Sequence, residues 1–460
     1  MQQLRLEQFS KKGRPYILPD IFTGHQVIIP PDQLPWLMKQ PASVLSQRES
    51  NNEFLAAKHT FLNCVAADDN EWVFVVNIIK DITKELNNKT DDVIEEIQDA
   101  LSDLCGNDTH SWREVDLLDM CLLLMSRIVS RVYVGLPLCQ DPTYLSSSTK
   151  FAKFILIEAL LAQLTPKPLR PLLGPLLAQY DWMQFRRMEG CLRPIIRERA
   201  SRASPVAMAE GKLDADHPSD LLSRLMQEAY RRNDDPCRPQ SHTAKLLAIL
   251  NWAAIQVQSI TIENALIDIA HAPNSLSIQE QLREEASAAN GAEPSVRWKR
   301  SEVAKLPKMD SVLTESLRLW GFAHGVIKVV VAKEGVDLPT GEHIPYGSKV
   351  GIGSYGVHHD EEVYTGESPF TFDPFRFVKV GGEEEKATGL NFPSTNGNYL
   401  AFSHGNAGRF FANHLLKLLL SQIVLRYDIK PDASPRPQNS WFSYVSPPPI
   451  GYKLSIKRRQ

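Results

Sequence analysis

The chain has 460 residues, of which 43% are hydrophobic and 23% are charged, a composition typical of a folded protein with a large core. It carries 51 Lys and Arg against 54 Asp and Glu, giving a net charge of −3, and its basic residues are scattered along the sequence. This pattern excludes extended disorder and offers no basic stripe for nucleic acid, so we expect a small-molecule partner.

The N-terminal two thirds of the sequence predict a helical body. Residues 15–45 mix short apolar runs with prolines, which predicts short strands and turns followed by a helix at 31–39. Between 70 and 320 apolar residues recur at helical spacing. Within that body the segment 201–240 is rich in Asp and Pro, and we predict a surface loop around one short helix there.

The last third of the sequence changes character. Residues 325–380 contain short β-type runs separated by Gly and Pro turns, a strong helix is predicted at 408–425, and the segment 451–457 is strand-like. There are no repeats and no obvious linker. We therefore predict a mainly α fold with a small β region, organised as a single domain over residues 1–460.

Membrane and redox signals are weak in this sequence. No stretch reaches the roughly 18 consecutive apolar residues that span a bilayer, and the N-terminus is too polar for a signal peptide. We expect no transmembrane anchor in this chain.

The cysteines show no Cys-x-x-Cys spacing, and we interpret them as reduced thiols that form no metal site. All of them lie before residue 240: Cys64, Cys105, Cys121, Cys139, Cys191 and Cys237.

Three motifs follow one another in the C-terminal half. Glu315 and Arg318 stand at positions i and i+3 of a predicted helix, where their side chains can pair. Arg376 follows in the segment Phe-Asp-Pro-Phe-Arg-Phe, and Phe402-Ser-His-Gly405 precedes the last helix. In this order and spacing they resemble the E-x-x-R pair, the meander arginine and the haem-binding loop of the cytochrome P450 family.

Two further stretches, 131–139 and 347–360, are similar to the fungal secondary-metabolism branch of that family, and the resemblance covers residues 15–455. It implies a cytochrome P450-like fold. It also implies that Glu315, Arg318 and Arg376 form a buried charge network, since breaking a buried pair by removing one partner costs about 3–5 kcal/mol.

The haem loop departs from the family pattern F-x-x-G-x-x-x-C-x-G. The segment from Phe402 to Arg409, which includes His404 and Gly405, is shorter than this pattern and contains no cysteine. In the family that cysteine supplies a thiolate to the haem iron. We interpret His404 as a loop histidine bonded to backbone rather than as a replacement ligand. The resemblance thus implies haem, while the missing axial cysteine predicts no haem or weakly bound haem.

The counterpart of the family's oxygen-binding helix, predicted at 243–270, is also altered. Ala253 and Ala254 keep the pair of small residues, but Val257 and Gln258 stand where the family carries a threonine that relays protons. Ser259 could replace that threonine, although a helix-packing role fits it better. Lys328 stands where relatives place an arginine for a haem propionate, and it can pair with a carboxylate only as a point charge.

Three hypotheses remain open at this point. The first is a protein of fungal polyketide or terpenoid biosynthesis that lacks thiolate-ligated haem and is either inactive or catalyses a redox-neutral step. The second is a true haem-thiolate monooxygenase whose gene model lacks a short piece at residues 406–407. The third is a non-catalytic binding or scaffold protein.

The resemblance also bears on partners and location. It implies a lipophilic small-molecule substrate and, under the second hypothesis only, an NADPH-cytochrome reductase. Gln256, Gln258, His324 and Lys328 are the polar candidates near the substrate, and they form no recognisable catalytic constellation. We expect the protein in the cytoplasm or at the periphery of the endoplasmic reticulum.

Overall fold

The structure is a computed structural model that describes residues 7–20, 24–58, 62, 69–212, 217–290, 298–323, 325–378, 390–403, 406–441 and 445–460. The helices of its first half are α1 Leu34–Lys39, α2 Gln47–Phe54, α3 Asp69–Cys105, α4 Leu117–Tyr133, α5 Pro142–Leu164, α6 Arg170–Leu177, α7 Gln179–Arg202, α8 Pro205–Glu210 and α9 Leu221–Arg231. Those of its second half are α10 His242–His271, α11 Ser275–Asn290, α12 Arg300–Ala304, α13 Pro307–Trp320, α14 Ser354–His358 and α15 Arg409–Arg426. The prediction of a mainly helical fold with a small β region is confirmed.

Side-chain caps explain where several of these helices begin. Asp116 accepts a hydrogen bond from the backbone N–H of Asp119 at 3.1 Å at the start of α4, and Asp141 does the same at the start of α5 with Tyr144, at 2.7 Å. Ser241 caps α10 in the same way. These short polar residues satisfy amide groups that would otherwise have no partner at a helix N-terminus.

The strands form small sheets at the edges of the helical body. They are β1 Tyr16–Leu18, β2 Gln26–Ile28, β3 Leu45–Ser46, β4 Arg113–Asp116, β5 Gly325–Val330, β6 Val336–Asp337, β7 His343–Ile344, β8 Lys349–Gly353, β9 Tyr427–Ile429 and β10 Lys453–Arg458. The largest described sheet has the order β1-β2-β8-β5-β3 and is antiparallel except for β2 and β8. A second sheet has the order β4-β10-β9, and β6 pairs with β7.

The centre of the helical body is α10, which packs against α4, α5, α13 and α7. Its C-terminal part from Ile260 to Ala270 is buried throughout. By length and composition alone this helix could cross a membrane, and it is the one described helix that could. Burial covers 72% of its most apolar window, as in the core helix of a folded domain.

The segment 201–240 differs from the prediction of a loop with one short helix, because it contains both α8 and α9. Ser204 caps α8 with Pro205 at its first position, and Gly211 ends it in the left-handed conformation. Asp220 caps α9, whose apolar side is buried against the body. One Pro and one Asp of this segment, Pro205 and Asp220, thus stand at helix N-termini.

Candidate functional site

Glu315 and Arg318 form a two-bond pair within α13. The Arg318 Nε donates to Glu315 Oε2 at 2.7 Å and its Nη2 donates to Oε1 at 2.8 Å. Both side chains are fully buried. The remaining nitrogen, Nη1, donates to the carbonyl oxygens of His358 and of Pro369, the latter at 2.8 Å. The charge is therefore satisfied on all sides, which is the condition for keeping it in the core.

Arg376 joins this pair from the segment that follows α14. Its Nε donates to Glu315 Oε1 at 3.0 Å, and its other nitrogens donate to the carbonyl oxygens of Glu367, Ser368 and Thr371. The backbone N–H of Asp373 also donates to Glu315 Oε1. The structure thus brings the three predicted residues together, and one carboxylate organises the backbone from 367 to 376.

His358 extends the network toward the loop that precedes α15, a role that the sequence did not reveal. Its Nε2 accepts from the backbone N–H of Leu400 at 2.9 Å, so its Nδ1 carries the proton and donates to the carbonyl oxygen of Arg318 at 3.1 Å. His358 is buried and stacks on Tyr399. Helix α13 and the chain just before Phe402 are therefore connected through one neutral imidazole.

Two side chains at the start of α13 hold the same region from the other side. Asp310 accepts the backbone N–H of Phe392 at 2.7 Å and pairs with the buried Lys417 of α15 at 2.5 Å. Ser311 accepts the backbone N–H of Phe377 at 3.0 Å. These bonds attach the described ends of the 378–390 connection to helices α13 and α15.

Packing and backbone hydrogen bonds hold the described residues of the loop before α15. Phe402 is buried and packs edge-on against Phe392. Ser403 has a φ of 51°, in the left-handed region that non-glycine residues seldom adopt. Arg409 donates to the carbonyl oxygens of Pro393 at 3.0 Å and Asn406 at 2.9 Å. His404 and Gly405, the other residues predicted for this pocket, lie outside the described residues.

One stretch of α10 is open although the helix around it is buried. Ala253 is exposed and Ala254 and Val257 are half-buried, and these three share a side of the helix because they stand at i, i+1 and i+4. Gln256 is buried, and its Oε1 has no hydrogen-bond partner among the described residues. This open face is small and apolar, so a flat lipophilic group can approach its backbone closely.

The other predicted polar groups of this helix point into the framework. Ser259 is buried and donates to the carbonyl oxygen of Cys121 in α4 at 3.2 Å, which is a packing contact between two helices. Gln258 is also buried. Val257 offers no hydroxyl group. His324, the remaining polar candidate, lies outside the described residues.

Lys328, which stands where relatives carry an arginine for a haem propionate, directs its side chain at the backbone of α1. Its Nζ donates to the carbonyl oxygen of Leu37 in α1 at 2.9 Å, and burial lowers its pKa. The reason is the alternation of β5, which puts Lys328 on the same face as Val326 and Val330. Those two valines pack with Leu37 in a separate small core, so the lysine is turned toward α1.

The described cysteines lie away from this loop and are protonated. Burial raises the pKa of Cys105 and of Cys139 to about 12, and it also raises the pKa of the fully buried Cys121 well above its ordinary value. Cys191 and Cys237 are half-buried, and burial raises their pKa as well. A metal prefers the thiolate, which these sites disfavour. Among the described residues, no group of three or more His, Cys, Asp or Glu side chains could hold a metal ion.

Comparison with known proteins supplies a family. A sequence model described as Cytochrome P450 matches residues 46–456. The chain is 28% identical to the cytochrome P450 monooxygenase pbrC of Penicillium brasilianum, over 98% of this chain and 85% of that protein. It is 30% identical to the cytochrome P450 monooxygenase polB of Polytolypa hystricis, over 99% of this chain and 87% of that protein.

A solved structure supports the same fold. The crystal structure of a cytochrome P450 named CYP102L1 superposes with a TM-score of 0.68, covering 100% of this chain and 94% of that chain. The sequence identity is 16%, so the likeness concerns the fold alone.

Proposed function

Because the chain belongs to the cytochrome P450 family, we propose that it is a single-domain P450-like protein that binds a lipophilic small molecule along the open face of α10. We place it in fungal natural-product metabolism and propose that it performs no haem-thiolate monooxygenation. One observation carries this proposal: the segment from Phe402 to Arg409 contains no sulfur, and the chain has no cysteine after Cys237.

The family implies haem, and the residues present fit that group only in part. The small side chains of Ala253 and Ala254 suit a flat apolar ring system. The donor set does not fit, because the described thiols are buried and protonated in other helices. Lys328, the cation predicted at the place of a propionate-binding arginine, and Arg409 of the shortened loop both donate to backbone carbonyls. A haem-thiolate centre is therefore not supported by these residues, and haem is absent or weakly bound under this proposal.

Binding without chemistry is favoured over a redox-neutral reaction. General acid–base catalysis needs a titratable group within reach of the substrate. The open face consists of Ala253, Ala254 and Val257, none of which titrates, while Gln256 and Gln258 are buried and Lys328 is turned toward α1. The side chains on this face can pack against a ligand and exclude water from it, but they supply no proton.

The names of the relatives favour a second candidate, a monooxygenase that receives electrons from a reductase. The pbrC and polB proteins are both called monooxygenases. This candidate requires that the natural loop is longer than the present one between Asn406 and Gly408. Sequencing the transcript across codons 400–412 distinguishes the two, since an extra segment with a cysteine codon would support the second candidate.

The absorbance of the reduced, carbon-monoxide-treated protein tests the main proposal. Thiolate ligation gives haem a red-shifted band in this state, and the purified chain should show none, nor should it hydroxylate substrates with an added reductase. A variant with three residues including Cys inserted after Asn406 should gain the band. The same insertion with Ser in place of Cys is the matched control. A thiolate-type band from the unmodified chain contradicts the proposal.

We also propose that the protein sits at the periphery of a membrane. The α5 to α7 region exposes large apolar side chains, including Leu164, Leu172 and Leu176, which are 58%, 69% and 57% exposed. The sequence from Ala159 to Tyr180 contains Lys167 and Arg170 and no Asp or Glu. An apolar face with a basic charge suits an anionic lipid surface.

Flotation with phosphatidylserine-containing vesicles tests this location. The unmodified chain should float with the vesicles, and Leu172→Asp combined with Leu176→Asp should lose most of that binding. Leu276→Asp, at an exposed leucine of α11, is the control and should float like the parent. Equal binding of all three proteins contradicts the proposal.

A further inference from the structure

Two carboxyl groups meet in the interior between helices α5 and α7. Glu158 lies on the buried side of α5 and is 6% exposed, and Asp181 lies in the first turn of α7 and is 1% exposed. Helices α5 and α7 pack against each other, and the charge of Asp181 raises the pKa of Glu158. Glu158 lies near the C-terminal end of α5 and Asp181 near the N-terminal end of α7, and these two ends are joined through α6. We refer to α5, α6 and α7 together as the hairpin.

If both groups are ionised, their carboxylate oxygens have no hydrogen-bond donor. None of the four carboxyl oxygens, Oε1 and Oε2 of Glu158 and Oδ1 and Oδ2 of Asp181, has a donor among the described residues. Two ionised carboxylates cannot lie together in a dry interior, because each also loses its hydration there. A single proton between them converts the repulsion into a short, charge-assisted hydrogen bond.

The charged groups on the surrounding helices are engaged elsewhere. Lys153 of α5 pairs with Asp119 of α4 at 2.8 Å, Arg131 of α4 with Asp92 at 3.2 Å, and Arg193 of α7 with Glu189 at 3.3 Å. Arg170 of α6 donates to the carbonyl oxygen of Thr165 at 3.0 Å, and Lys245 of α10 lies over the ring of Trp182. None of these groups contributes to the pKa of Glu158 or Asp181. The proton is therefore the cation that this pair requires.

We propose that Glu158 and Asp181 share one proton, and that this proton is a latch that holds α5 against α7. Loss of the proton leaves two buried negative charges in contact, and the hairpin opens locally to hydrate them. Helix α5 also contacts α10 through Ser148, whose Oγ accepts from Asn251 Nδ2 at 2.9 Å. Opening of the hairpin therefore reaches the helix that carries the open face.

The direction of the pH dependence follows from the pKa values. Burial and the neighbouring Asp181 raise the pKa of Glu158 from its ordinary value of 4.5 to about 10, and burial raises that of Asp181. At any pH between 4.5 and about 10, the closed hairpin therefore holds a proton that the opened hairpin releases. Closure is strongest below pH 4.5 and weakens as the pH rises toward 10.

Hydrogen exchange measured by mass spectrometry between pH 6 and pH 9 tests the latch. One proton released on opening makes the opening constant rise about tenfold per pH unit beyond the intrinsic chemical effect. Protection factors of segments 155–163 and 179–188 should fall by that factor, whereas those of α15 should stay constant. In Glu158→Gln the amide donates to Asp181 without a titrating proton, so the fall should disappear while protection at pH 6 remains.

Two further variants keep the test decisive. Asp181→Asn makes the converse replacement and should also abolish the pH dependence, which covers the case that Glu158→Gln does not fold. Glu198→Gln removes one charge from the exposed end of α7 and should behave like the parent. Flat protection of the two segments in the parent, an equal fall in α15, or an unchanged fall in Glu158→Gln and Asp181→Asn overturns the proposal.

Discussion

The buried network around Glu315 and the group of residues predicted to serve haem or oxygen chemistry both contain polar side chains, but those side chains have different partners. In the network, two arginines meet one carboxylate, and every remaining nitrogen finds a carbonyl oxygen. In the predicted group, Arg409, Ser259 and Lys328 each donate to the backbone of the protein itself. The network connects distant parts of the chain, whereas these three side chains are engaged by carbonyl oxygens of neighbouring elements.

This difference distinguishes two roles of side chains in the family fold, namely holding the backbone in place and serving the iron chemistry. The network fixes the path of the backbone from 367 to 376 and reaches Leu400 through His358, and none of these bonds requires haem. Its members hold one another in place because a single loss leaves a buried charge without a partner. The positions that serve only iron chemistry have no such constraint, so they can change while the fold persists.

Removing the central carboxylate should have the largest effect on stability. Glu315→Ala leaves Arg318 and Arg376 buried without their anion, and we expect the free energy of unfolding to fall by about 3–5 kcal/mol. Denaturant titration measures this change. Glu198→Ala, at an exposed glutamate of α7, is the control and should change stability by less than about 0.5 kcal/mol. Similar values for the two variants would mean that the network does not stabilise the fold.

Breaking the link between the Glu315 network and the loop before α15 should have an intermediate effect. His358→Phe keeps the stacking on Tyr399 but leaves the buried N–H of Leu400 without an acceptor, at a cost of about 1–3 kcal/mol. Hydrogen exchange of the Leu400 amide should be faster in this variant than in the parent. His343→Phe, at an exposed histidine, is the control. Unchanged exchange at Leu400 would show that His358 does not hold the loop.

Lys328 should have the smallest effect, with a diagnostic dependence on pH. Burial lowers its pKa below 10.5, so the unfolded chain binds the extra proton and this group favours folding more as the pH rises toward that value. Lys328→Met loses one hydrogen bond but no ion pair, so we expect less than about 1 kcal/mol at pH 7. The stability of the parent relative to this variant should increase between pH 7 and pH 9.5. No change over this range would indicate a lysine whose pKa is not lowered in the folded state.

Helical periodicity was enough for α13 and α15, and the spacing of Glu315 and Arg318 predicted that they pair. The approach of Arg376 was implied by the resemblance to the cytochrome P450 family, which local spacing does not contain. The side on which Lys328 lies could not be predicted, because it depends on which face of β5 packs against Leu37. The bond from His358 to Leu400 and the meeting of Glu158 with Asp181 also depend on tertiary packing, which single-sequence periodicity does not contain.

Thermal unfolding of the protein, produced with and without a haem precursor in the growth medium, tests most directly whether this fold is independent of its prosthetic group. A ligand that binds only the folded state raises the free energy of unfolding by RT ln(1 + [L]/Kd), where [L] is its free concentration. We predict one cooperative transition at the same midpoint in both preparations, with haem content far below one per chain. A higher midpoint and stoichiometric haem in the supplemented preparation alone would contradict the account.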